Sequence, residues 1–106
     1  MKNKFLSHEC KIQSVHFDAD TKLIDLVQSK LEKLGTFEKR IIDVLVFLKL
    51  DNPAHAIKDK VVEIRVHVPH RDYFVKTTSK SFEISFEDAL ASLVTQMKRK
   101  KDKLQA

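Results

Sequence analysis

The sequence predicts an α+β two-layer sandwich, β-α-β-β-β-α, in which a four-stranded sheet carries two helices on one face. Three observations point there. Leu23, Val27, Leu31 and Leu34 recur at helical spacing; three β-branched, alternating stretches follow one another between Arg40 and Thr78; and Phe82, Phe86, Ala89, Leu90, Leu93 and Met97 form a second helical stripe. With strands and helices in that order, the sheet offers one face to both helices and leaves the other partly open.

Length and composition leave room for one domain. The chain has 106 residues, and 42% apolar content is enough to fill one modest core. Gly35, Pro53 and Pro69 are the only strong turn formers, so connections should be short. Cys10 is the single cysteine, which excludes an intramolecular disulfide and fits a reducing, cytoplasmic setting. No apolar run approaches a membrane span, and MKNKFLSHEC lacks a signal-peptide core.

Residues 1–9 show no period and are expected to be a leader, with the domain occupying residues 10–106. Cys10 to Phe17 alternates roughly and reads as a first strand. Asp20 or Thr21 can cap the first helix, and Gly35 is placed to end it in a left-handed conformation. Arg40 to Leu50 is apolar on both faces (Ile42, Val44, Val46 and Leu48 on one side), as suits a central strand. Asp51 to Asp59, with Asn52-Pro53, should be a loop. Lys60 to Pro69 alternates cleanly: Val62, Ile64, Val66 and Val68 face a core, while Glu63, Arg65 and His67 face water, joined according to register by Lys49, Arg71 or Lys76. Tyr73 to Thr78 is a further strand, and the last helix starts at Ser79 or Ser81.

That last helix changes character at Lys98. Residues 98–106 hold five cations and one anion, so +4 of the total net charge of +5 sits there. Cations near a helix C-terminus are favourable for dipole reasons alone, but an excess this localised is the footprint of a polyanion partner. A nucleic-acid backbone would be held there by phosphate neutralisation and counterion release. Candidate contacts are Lys98, Arg99, Lys100, Lys101 and Lys103, then Lys22, Lys30 and Lys33 of the first helix, then Arg65, Arg71, Lys76 and Lys80. Any lysine outside the terminal run is also explained by ordinary surface charge.

The residues I-Q-S-V-H-F (12–17), K-L-E-K-L (30–34), R-I-I-D-V-L-V-F-L (40–48), E-I-R-V-H-V-P (63–69) and F-E-D-A-L-A-S-L-V-T-Q-M-K-R-K (86–100) together resemble the short ribosome hibernation-promoting factor family, which includes the ribosome-associated inhibitor protein Y and the sigma-54 modulation proteins. The resemblance spans about Lys11 to Lys103. It implies a fold related to double-stranded RNA-binding domains, and binding to the small ribosomal subunit and its rRNA in the channel of messenger RNA and the A- and P-site tRNAs. It further implies inhibited translation under stress or in stationary phase. No reaction and no cofactor are implied, and short forms admit a separate ribosome modulation factor as partner. Where the family's second helix usually opens with a D-x-Y-x-A-I-D-like stretch, this chain has S-F-E-I-S-F-E, which keeps the core aromatic but not a tyrosine contact to RNA. A general double-stranded RNA-binding module, or a protein-binding regulator using the open sheet face, are the alternatives.

Other chemistry is weakly supported. His8, His16, His55, His67 and His70 include no H-x-x-x-H pair and there is no C-x-x-C, so metal binding is not expected. Cys10 has no identifiable base beside it, and Asp18, Asp20 and Asp25 make no acid pair, so no enzyme activity is expected. Phe82 and Phe86, at helical spacing, read as core.

Overall fold

The computed structural model describes residues 2–5, 8–15, 17–51 and 59–105, and side chains for 11–15, 17–36, 38–50 and 59–99. The chain runs β1 (Lys2–Phe5), β2 (His8–Val15), α1 (Thr21–Leu31), α2 (Leu34–Phe37), β3 (Asp43–Asp51), β4 (Asp59–Val68), β5 (Arg71–Ser79) and α3 (Phe82–Gln105). The four expected strands are β2 to β5. Ahead of them, in the stretch expected to be a leader, Lys2–Phe5 adds a fifth strand antiparallel to β2, and the sheet order is β1-β2-β3-β4-β5. Of the loop expected over Asp51 to Asp59, the two end residues instead pair with each other as the last of β3 and the first of β4, and residues 52–58, including Pro53, lie outside the described residues.

Register explains which side chains are buried. The α1 crossover makes β2 parallel to β3, while β3, β4 and β5 form an antiparallel meander. Ile12 aligns with Val46, Val46 with Ile64, and Ile64 with Val75, so one row crosses four strands on a single face. All four are buried, as are Val44, Leu48, Val62, Val66 and Val68 on the same face. Each side chain so removed from water is worth about 1.5–3 kcal/mol. Val27 and Leu31 of α1, Leu34, and Phe86, Ala89, Leu93 and Met97 of α3 close the core from above.

The start of α1 follows its sequence signal and its end does not. Asp20 caps α1, its Oδ1 accepting from the Leu23 amide at 2.8 Å. Gly35 was expected to end this helix in the left-handed region, but α1 stops at Leu31 and no glycine has positive φ. The chain instead continues through three-residue turns, with Lys33 N donating to Lys30 O and Gly35 N to Glu32 O. Those turns keep Leu34 completely buried, and that burial outweighs the glycine signal. Among the described residues positive φ falls on His70, at 72°, in the β4–β5 hairpin directly after Pro69.

The strand expected from Arg40 starts only at Asp43. Ile41 turns into the core, at 3% exposure, and Ile42, expected to share a face with Val44, Val46 and Leu48, is 49% exposed ahead of the strand. The register that was to decide the face of Arg71 sets it opposite Val68, on the covered side, two residues from buried Tyr73.

A candidate nucleic-acid interface at one end of the helix layer

The direction of α3 decides where its cations go. Near its start, the fully buried Ser85 donates from its hydroxyl to Lys60 O at 2.7 Å and lies 2.7 Å from the Ser79 hydroxyl, at the end of β5. Further along, the Gln96 amide donates to Phe74 O at 3.3 Å, in the middle of β5. Eleven helical residues rise about 16 Å and five strand residues span about 17 Å, so helix and strand run level in opposite directions. The residues after Gln96 therefore lie toward Arg71, where β5 begins.

The two long helices run side by side in the same direction. Phe17, just before α1, stacks on Phe82 at the start of α3 with ring centroids 5.0 Å apart, and Lys30 near the end of α1 pairs with Glu87 at 2.8 Å. By Glu38 the chain has reached the same end of the sheet, where Ile42 N donates to His67 O at 2.7 Å. The start of β3, the end of β4, the start of β5 and the last turns of α3 thus converge.

Lys98 and Arg99 are exposed there, following Met97, the last core residue of α3 among the described side chains. Lys100, Lys101 and Lys103 continue the same helix, their side chains beyond the described ones. Arg71 belongs to this end too, with its Nη1 buried and without a hydrogen-bond partner. Exposed Lys33 lies alongside Lys30 on the helix layer. Lys30 is partly neutralised: the pair with Glu87 holds that carboxyl below its ordinary value, through the hydrogen bond first and the ammonium charge second.

The remaining candidates lie elsewhere. Lys22 and Lys80 line a groove at the other end of the helix layer among Asp18, Asp20 and Glu83, and Lys80 is ion-paired with Asp59. Arg65 and Lys76 lie on the open sheet face, where the Arg65 guanidinium sits 5.9 Å from the centre of the exposed Phe74 ring. That face has no one-sided charge, because Lys49 pairs with Glu63 at 2.8 Å and His67 with Asp72 at 2.6 Å. No group of three or more metal-ligating side chains occurs among the described residues. Nor is any helix among them long and apolar enough to cross a membrane.

Sequence reasoning missed two cations at the basic end, Lys39 and Arg40, because Arg40 was read as the first residue of a strand. Both are exposed. The E-K-R triplet before the apolar run carried the signal: a carboxylate two residues from an arginine can hold it in a local turn. Glu38 does so, accepting from Arg40 N at 3.0 Å, Nε at 3.1 Å and Nη2 at 3.3 Å.

Fold and charge together define a two-layer α+β domain in which two parallel helices cover one sheet face and the second helix ends in a concentration of cations. The chain belongs to the sigma 54 modulation protein / S30EA ribosomal protein family, a family of ribosome-associated proteins, whose profile matches residues 10–105. No curated protein sequence matches it significantly. Among solved structures it resembles a ribosomal subunit interface protein from Coxiella burnetii, with a TM-score of 0.78 at 17% identity, over 90% of this chain and 98% of that one. It also resembles the N-terminal domain of Thermus thermophilus Protein Y, with a TM-score of 0.73 at 24% identity, over 84% of this chain and 93% of that one. At such identities the likeness is one of fold.

Proposed function

We propose that this protein is a cytoplasmic hibernation factor that binds the small ribosomal subunit in the decoding channel, where messenger RNA and the A- and P-site tRNAs would lie, and silences translation under stress or in stationary phase. The observation that carries the reading is the convergence of Lys98, Arg99, Arg71, Lys39 and Arg40 at one end of a rigid helix layer, in a member of a ribosome-associated family. Cations fixed on a packed frame meet a phosphate backbone without the entropy loss of ordering a flexible tail. Lys100, Lys101 and Lys103 extend the contact along the helix, with Lys30 and Lys33 beside it. Lys22, Lys80, Arg65 and Lys76, at other positions, are secondary contacts in a binding site that surrounds the domain. Occupying the channel needs no catalysis and no cofactor.

The test is co-sedimentation with purified small subunits over a series of salt concentrations, with tRNA and messenger RNA as competitors. Binding should fall steeply with salt and be displaced by both competitors. Replacing Lys98, Arg99, Lys100 and Lys101 together with Ala should lower affinity by orders of magnitude at physiological salt and leave thermal unfolding nearly unchanged. Wild-type binding by that variant would remove the basic end from the mechanism, and equal affinity for any RNA duplex would make the protein a general duplex binder instead.

A further inference from the structure

The Glu38–Arg40 pair differs from the other ion pairs of the molecule in its geometry. Glu38 is 3% exposed, although it is a carboxylate at a chain bend, and such a group is costly to bury unless its oxygens are hydrogen-bonded. Its oxygens accept from three donors of one residue, the Arg40 backbone N–H, Nε and Nη2. The arginine side chain, in contrast, is 62% exposed.

The stereochemistry leaves a usable edge. A guanidinium has five N–H donors, four of which form two forks, one from Nε and Nη2 and the other from Nη1 and Nη2. Glu38 occupies the first. The second makes no hydrogen bond among the described residues and has the spacing that matches two phosphate oxygens. Arg40 is thus held by its inner edge with its outer edge toward solvent, and the rotamer freedom a long side chain normally loses on binding is already restricted.

Its position is also suited to this role. Two residues after Arg40, Ile42 N donates to His67 O, and His67 pairs in register with Asp72, the neighbour of Arg71 on β5. Lys39 precedes Arg40, and the last turns of α3 run toward the same end. Glu38 cancels one charge of the group, but it does so from inside the protein.

We propose that Arg40 is a preorganised phosphate-binding residue of the basic end, with Glu38 as the positioning residue that aims its free fork at an RNA phosphodiester. The proposal rests on the ribosome-binding reading above and assigns that reading a residue that contributes geometry as well as charge.

The experiment compares wild type, Arg40→Ala, Arg40→Lys and the four-residue α3 variant for binding to purified small subunits across a salt series, with thermal unfolding as a check. Arg40→Ala is expected to bind about tenfold more weakly, with the slope of log affinity against log salt smaller by about one. Arg40→Lys should keep the wild-type slope, since its charge is unchanged, and recover less than half of the lost affinity, since an ammonium has no fork. Full recovery by lysine would overturn the proposal in favour of a point charge. Weaker binding of Arg40→Ala with an unchanged slope would mean that Arg40 serves only as the counterion of Glu38, and would overturn it as well. Wild-type binding by Arg40→Ala beside a weakened α3 variant rejects Arg40 alone, whereas undiminished binding by both rejects the ribosome-binding reading.

Discussion

Replacing Ser85 with Ala should destabilise the domain by about 1.5 kcal/mol. The side chain is fully buried within α3, and its hydroxyl makes two hydrogen bonds of 2.7 Å, donating to Lys60 O and accepting from the Ser79 hydroxyl. Thr77 Oγ1 donates to Ser85 O at 2.5 Å, a contact that alanine would retain. Each lost bond costs about 1 kcal/mol net, for a loss near 2 kcal/mol. Alanine is the better helix former by about 0.5 kcal/mol, which offsets part of it. For a domain of this size the remainder corresponds to a fall in Tm of about 5–10 °C. Circular dichroism on heating, backed by urea titration, measures it. An unchanged or higher Tm would refute the reasoning, because it would mean that helix propensity outweighs a buried hydroxyl network at the contact between α3 and the sheet.

Two other outcomes follow from local geometry. Glu87→Gln should release Lys30 and strengthen binding to small subunits at low salt by about two- to threefold, and a salt-series titration would detect it. The same substitution tests a pH dependence: the Glu87 carboxyl is held below its ordinary value of 4.5 by Lys30, so its pairing contributes above that value and is lost as pH falls through the depressed one. The wild type should accordingly lose its small stability advantage over Glu87→Gln on acidification through that range, as read by denaturant titrations at stepped pH. At the β4–β5 turn, His70 has φ 72°, a region costly for β-branched residues. His70→Val should destabilise by about 1–3 kcal/mol and His70→Gly should not, a contrast that thermal unfolding resolves.

Most of the fold was legible because burial follows simple periods. Val62, Ile64, Val66 and Val68 alternate and are all buried, and Phe86, Ala89, Leu93 and Met97 step along α3 as helical spacing requires. Elements were misread where a local signal competed with packing. Gly35 invited a helix terminus, yet complete burial of Leu34 drew the chain into a further turn. Ile42 alternates properly with Val44 but precedes the strand, because the Glu38–Arg40 clamp bends the chain there and Ile41 takes the inward position. Lys2–Phe5 has too few residues for a period to register, and its strand is defined by its partner β2.

For the interface, sequence gave the number of cations in the terminal run but not their company. Spacing along the chain could not reveal that Arg71 would fall on the covered side beside Tyr73, or that Arg65 and Lys76 would share the opposite face with exposed Phe74. Those placements depend on strand register across β4 and β5, where a shift of one residue exchanges the faces. Arg40 was hidden for another reason: its role depends on one carboxylate two positions earlier turning inward.

Because α3 passes without a break from the sheet contact at Ser85 to the lysines, its seating on the core also sets the angular phase of everything beyond Met97. A single residue inserted between Met97 and Lys98 would swing the later side chains by roughly 100°, whereas four inserted residues would bring them back to within about 40° while displacing them by about 6 Å. The helix therefore acts as a screw rather than a tether, and the direction in which its cations point is decided by hydrophobic side chains that never meet solvent.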